Sequence, residues 1–186
     1  MVLQQKKFSN VLTIINGKNQ KAVETADGQY PIYGSGGIMG RASDYICPAN
    51  TVIIGRKGNI NKPIFVDEPF WNVDTAFGLV ADSSVLLPKY LYYFCEKFDF
   101  EKLNTTVTIP SLTKVNLLKI DIALPPLGEQ QQIVDQLDQI AVAKSLCLQI
   151  VDKLSRSVKA RFVELFGDCR LNPKGWNTVP LGDIAE

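Results

Sequence analysis

From Glu129 to Phe166 the chain contains neither proline nor glycine, and Pro125-Pro126-Leu127-Gly128 stands directly before that stretch. An uninterrupted run of this length with helical periodicity folds as one long helix. At 1.5 Å per residue it would span roughly 60 Å. Ile133, Leu137, Ile140, Lys144, Cys147, Val151, Leu154, Val158, Arg161 and Leu165 follow one another at alternating spacings of four and three. That alternation is a coiled-coil seam, interrupted by Lys144 and Arg161. Val134, Ala141, Leu148 and Phe162 widen the stripe, as they would if the helix met more than one neighbour. No second helix of this length exists in the chain, so the seam calls for a second copy or another subunit. The alternative is a helix folded back on its own globular part. The pairing contacts expected are Ile133, Leu137, Ile140, Val151, Leu154, Val158 and Leu165. Gly167 suits the C′ position that ends the helix.

The segment ahead of the helix is mixed. Phe8 to Ile15 reads as a short helix or strand before an Asn16-Gly17 turn, and the polar stretch from Asn16 to Gly28 as a loop. Tyr30-Pro31-Ile32-Tyr33 is extended, because a residue before proline avoids the helical region. Gly34 to Arg41, with four glycines in its first seven residues, reads as a flexible loop. Pro48-Ala49-Asn50 is a turn, and Thr51-Val52-Ile53-Ile54 a buried strand by its β-branched content. A second loop covers Gly55 to Lys62. Further strands fall on Pro63 to Val66 and Ala76 to Val80. Pro88 opens a helix whose Leu91, Phe94, Cys95 and Phe98 share one face. Ser111 is the expected N-cap of a short helix through Val115. Ile120, Ile122 and Leu124 alternate as in an edge or final strand.

Composition removes much chemistry. The 186 residues include no histidine, so His-dependent triads, His general bases and His metal sites are excluded. Cys47, Cys95, Cys147 and Cys169 form no C-x-x-C pair and read as free thiols, with no metal site. The Gly34–Gly40 loop lacks the Gly-Lys-Ser/Thr ending of a P-loop and does not fit G-x-G-x-x-G. Leu124 stands where the N-P-P-Y motif of amino-methyltransferases needs a polar residue, and Asp99-Phe100-Glu101-Lys102 lacks nuclease carboxylate-x-Lys spacing. No cofactor is expected. No apolar run is long enough to cross a bilayer, and Met1-Val2-Leu3-Gln4-Gln5-Lys6-Lys7 is too short and polar for an export signal, so the expected location is the cytoplasm. Net charge is +1, yet Thr51 to Val66 holds Arg56, Lys57 and Lys62 and no acid. Such a loop can neutralise phosphates, and Asn59 and Asn61 can read adenine edges.

The ordered set of segments resembles a known family. Tyr30-Pro31-Ile32-Tyr33-Gly34-Ser35-Gly36-Gly37, Ile53-Ile54-Gly55-Arg56-Lys57-Gly58, Phe70-Trp71-Asn72-Val73-Asp74-Thr75-Ala76, Ile109-Pro110-Ser111-Leu112 and Leu124-Pro125-Pro126-Leu127-Gly128-Glu129-Gln130 look like the specificity subunit of type I restriction–modification enzymes. The resemblance implies an α/β (α+β) architecture. A curved mixed β-sheet target recognition domain covers residues 1–125, and a spacer and dimerisation helix covers 126–167. It implies a non-catalytic, sequence-specific reader of double-stranded DNA that directs methyltransferase (modification) and restriction subunits to a bipartite site. Helices of two halves would pack antiparallel and set the distance between recognition domains. Two other readings stay open: an assembly module that reads no DNA, and a recognition domain of a single-chain methyltransferase–nuclease. By loop placement and residue type, the expected DNA contacts are Tyr33, Ser35 and Arg41 in the first loop. Arg56, Lys57, Asn59, Asn61 and Lys62 are those in the second, with Lys114 a further one. Leu181-Gly182-Asp183-Ile184 lines up with Phe8-Ser9-Asn10-Val11, so residues 168–186 read as a linker and the start of a second recognition domain. On that reading the chain is a fragment, a truncated gene product or a natural half-subunit.

Overall fold

The computed structural model describes residues 4–104 and 110–184, apart from the Leu181 side chain. Ile109 of the fourth motif and the leading Met1, Val2 and Leu3 lie outside them. The chain divides into two compact units, residues 1–137 and 138–186.

The first unit is built from β1 (Gln4–Lys7), β2 (Leu12–Asn16), β3 (Tyr30–Gly34), β4 (Gly37–Ala42), β5 (Thr51–Gly55), β6 (Ile64–Val66), β7 (Trp71–Asn72), β8 (Ala76–Ala81), α1 (Pro88–Lys97), α2 (Lys114–Leu117) and β9 (Asp121–Leu124). The long helix α3 (Leu127–Phe166) begins here. The strands form three sheets: β2-β8-β5-β6, all antiparallel; β4-β3-β7, with β3 and β7 parallel; and the pair β1-β9.

β5 explains its own sequence. All five of its residues are buried, because it pairs with β8 on one side and β6 on the other, with a core on each face. Val52 and Ile54 join Leu79, Leu91, Phe100, Leu117 and Ile122 in the larger core. Ile53 points the other way, among Cys47, Val66, Phe70 and Ala76. Strict alternation therefore buries both faces, and a continuous β-branched run is the result. The Phe70–Ala76 segment is structural too. Trp71 donates its indole N–H to the Lys18 carbonyl at 3.1 Å, and Asn72 donates Nδ2 to Ala76 O at 3.2 Å. A β-carbon at Gly17 would collide with the Val73 carbonyl, so only glycine lets the first turn lie against this segment.

Two sequence expectations need correction. Gly34 to Arg41 is not a flexible loop. It is the β3–β4 hairpin, tightly turned at Ser35-Gly36, with an irregularity between Ile32 and Tyr33 that leaves Met39 as the extra residue. Its glycines hide the strand pattern, and pairing with the well-marked β3 supplies what local propensity lacks. Ser111 is not the cap of α2. Its N–H goes to Asn104 Oδ1 at 3.0 Å, and Thr113 takes the capping role through Asn116 N at 3.2 Å.

The second unit contains most of α3 and the C-terminal segment. Every residue from 139 to 166 is exposed, including Ile140, Leu146, Val151, Leu154 and Val158. The residues after the helix close its end. Gly167 (φ +78) returns its N–H to Val163 O at 2.8 Å, an αL cap. Lys174 Nζ donates to the carbonyls of Glu164 (2.8 Å) and Leu165 (2.6 Å), and Trp176 Nε1 to Phe166 O at 3.0 Å. All four terminal carbonyls, which have no intrahelical partner, are thereby satisfied. A 3-10 turn lies further on at Leu181–Asp183, the same element that Phe8–Asn10 forms near the start of the chain.

Candidate nucleic-acid interface

The hairpin β3–β4 and the β5–β6 loop, far apart in sequence, are neighbours in space. A β-carbon at Gly55 would stand 3.0 Å from Ser35 Cβ and even closer to the Asn59 backbone. Gly55 is therefore needed where the hairpin tip crosses the loop, and Ser35 is brought beside Arg56 to Asn59.

The loop is held from below. Arg56 N donates to Thr75 O at 2.8 Å, Leu112 N to Arg56 O at 3.0 Å, and Gly58 N to Pro110 O at 3.1 Å. Lys57 and Ser111 form an antiparallel bridge. Gly58 takes φ +77, a conformation that favours glycine. Ile60 is buried in the larger core. With its backbone fixed, the loop presents Arg56, Lys57, Asn59 and Lys62 as exposed side chains.

The expected contact residues divide by their environments. The Arg56 guanidinium lies 5.9 Å from the Phe77 ring centroid, which orients it. Asn61 has structural partners: Oδ1 accepts from Phe100 N at 2.7 Å and Nδ2 donates to Asp99 Oδ1 at 3.2 Å. Tyr33 is half-buried, edge-on to Phe70 at 5.3 Å, and burial, with Glu68 and Asp67 nearby, raises its hydroxyl pKa. Arg41 is exposed and donates to Gln29 O at 3.3 Å. Lys114 Nζ donates to Ile14 O at 2.7 Å. Ser35, Arg56, Lys57 and Asn59 are thus brought together, while Tyr33, Asn61 and Lys114 are tied to the fold. Sequence reading passed over Ile38 and Met39, large apolar side chains exposed on β4. No local signal marks them, because their exposure follows from the pairing of β4 with β3. Among the described residues no group of three or more His, Cys, Asp or Glu could hold a metal, and no helix is long and apolar enough to cross a membrane.

A family model, the type I restriction modification DNA specificity domain, matches residues 3–153. The chain belongs to this family. The expectation drawn from the ordered motifs holds at that level. A Haemophilus influenzae protein named as a type I restriction enzyme specificity subunit is 25% identical over 149 residues, covering 77% of this chain and 38% of the relative. A type I specificity subunit named in Mycoplasma pneumoniae is 24% identical over 153 residues, covering 79% of this chain and 49% of its own length. The chain therefore spans less than half the length of these specificity-domain relatives. Among solved structures, the type I restriction–modification S subunit from M. genitalium superposes with a TM-score of 0.64 at 20% identity, covering 89% of this chain and 46% of that one. The HsdS subunit from Thermoanaerobacter tengcongensis gives 0.60 at 23% identity, covering 83% and 39%. At these identities the likeness is one of fold: a mixed α+β specificity-domain architecture with a long helix.

Proposed function

We propose that this chain reads DNA sequence for a type I restriction–modification system and catalyses nothing itself. In this reading residues 1–125 are the recognition domain, 126–167 the spacer helix, and 168–186 a linker leading into a second recognition element. The observation that carries it is the meeting of the hairpin tip with the acid-free loop at Ser35 and Gly55. Family membership and that meeting support each other: a rigid backbone there displays Arg56, Lys57 and Asn59, residue types that contact phosphates and base edges. The work is recognition in the cytoplasm, with double-stranded DNA, methyltransferase subunits and restriction subunits as partners.

The helix pairs with a second copy or a second half of the same kind. Charge favours the antiparallel arrangement. Glu129, Asp135 and Asp138 outnumber Lys144 in the first half of α3, whereas Lys153, Arg156, Lys159 and Arg161 outnumber Asp152 and Glu164 in the second. Antiparallel copies set acid against base along their length, and parallel copies set like against like. A mobility shift on duplex DNA, with and without the modification subunit, tests the reading. Sequence-selective retardation of the complex is expected. Equal retardation of every duplex, or none, would leave only an assembly module.

A further inference from the structure

Gln130 is fully buried, and its amide is almost fully used. Oε1 accepts from the Leu87 N–H at 2.9 Å, and Nε2 donates to the carbonyls of Val85 and Pro125, both at 2.9 Å. The partners come from two segments: the loop leading into α1, and the Pro-Pro end of β9. Leu87 occupies the N-cap position of α1, so its N–H lies outside that helix's own ladder. The first turn of α3 is also fixed through its backbone, where Pro126 O accepts from Glu129 N (2.9 Å) and Gln130 N (3.0 Å). One turn later Val134 is buried as well.

Packing alone would be served here by leucine or methionine. A buried amide gains little net stability over an apolar side chain of the same shape. What it adds is direction, since hydrogen bonds are angular and apolar contacts are not. Three such bonds to two segments fix both the position and the rotation of the first turn of α3.

We propose that Gln130 is a positioning residue that sets the direction in which α3 leaves the recognition domain. Resting on the reading above, it thereby fixes the separation at which two recognition domains are held on DNA. The ruler is defined at its zero point as well as by its length.

The test uses the full chain with Cys147→Ser and Cys169→Ser, which removes its two exposed thiols. Nitroxides are placed at Lys97→Cys and Gln136→Cys, both exposed positions, and the labelled chain is diluted with unlabelled chain. Pulsed dipolar spectroscopy should give one narrow distance for the parent and a broad distribution for Gln130→Leu. Gln130→Glu supplies the control that separates direction from packing. Its neutral carboxyl can accept from Leu87 and donate to one carbonyl, whereas its carboxylate faces two carbonyl oxygens. The distance should be narrow at acidic pH and broaden as the carboxyl ionises. A Gln130→Leu chain that keeps the narrow distance while only its melting temperature falls would overturn the proposal. So would a Gln130→Glu chain of equal width at both pH values, which decides the matter even if the leucine variant fails to fold. Selection from random duplexes by the assembled enzyme separates the two levels. The parent should recover half-sites at one spacing and Gln130→Leu at several; recovery of no half-sites would defeat the DNA reading and leave the spin-label result standing.

Discussion

Among the described residues up to 137 most apolar side chains are buried, with Ile38, Met39 and Val115 among the exceptions, whereas residues 139–166 display theirs. In the first region Phe8, Ile54, Leu79, Leu91, Phe100 and Leu117 lie in one closed core. In the second, Leu154 is 61% exposed and Val158 70% exposed, although both fall on a regular seam. The apolar side chains differ little in kind; what differs is whether the chain supplies their cover. A core closed by its own elements makes a unit that stands alone, and a seam left open makes one that is completed by association. Local order shows the same division. The first unit fixes loops through distant partners, as in Asn61 with Phe100, whereas Asp152–Arg156 and Arg161–Glu164 are ion pairs between neighbouring turns of the helix. Exposed pairs of that kind contribute little and cannot replace a partner.

The largest effect is expected on the helix. Leu154→Glu should abolish pairing and reduce the light-scattering mass to that of one chain, with the melting of the recognition domain unchanged; an unchanged mass would remove the seam from the interface. Phe100→Ala should do the reverse. It should cost about 3–5 kcal/mol of domain stability in denaturant titration by emptying a fully buried site, while pairing persists. Changing Lys57 and Lys62 together to alanine should leave both stability and pairing intact. It should lower the salt slope of DNA binding by about 0.9 for each phosphate no longer neutralised; an identical slope would take these lysines off the DNA-facing surface. Thr113→Ala is the smallest change, removing the α2 cap for about 1 kcal/mol in the same titration.

Sequence made the helix legible because the absence of proline and glycine from Glu129 to Phe166 and an apolar period from Ile133 to Leu165 both mark it. β5 was legible through its β-branched run, and α1 through its opening proline. The hairpin strand β4 was not, since Gly37 and Gly40 carry no side chain to show alternation and its pairing with β3 decides its form. β7 is two residues long, too short for any period. In the candidate interface, residue type singled out Arg56, Lys57 and Asn59, all of which are exposed. It gave Asn61 the same standing, because nothing local reveals a hydrogen bond to a residue 39 positions away. Gln130 stood in the Pro-Pro motif, but its three partners are visible only once the Val85–Leu87 loop is placed beside it.

On the proposed reading, the β5–β6 loop meets DNA and α3 meets protein. Photo-crosslinking tests this most directly, with a benzophenone side chain at Asn59 in one preparation and at Ser155 in another, each assembled with its modification subunit on duplex DNA. A DNA adduct is expected from position 59 and a protein adduct from position 155. A DNA adduct from the helix position, with none from the loop, would contradict that reading.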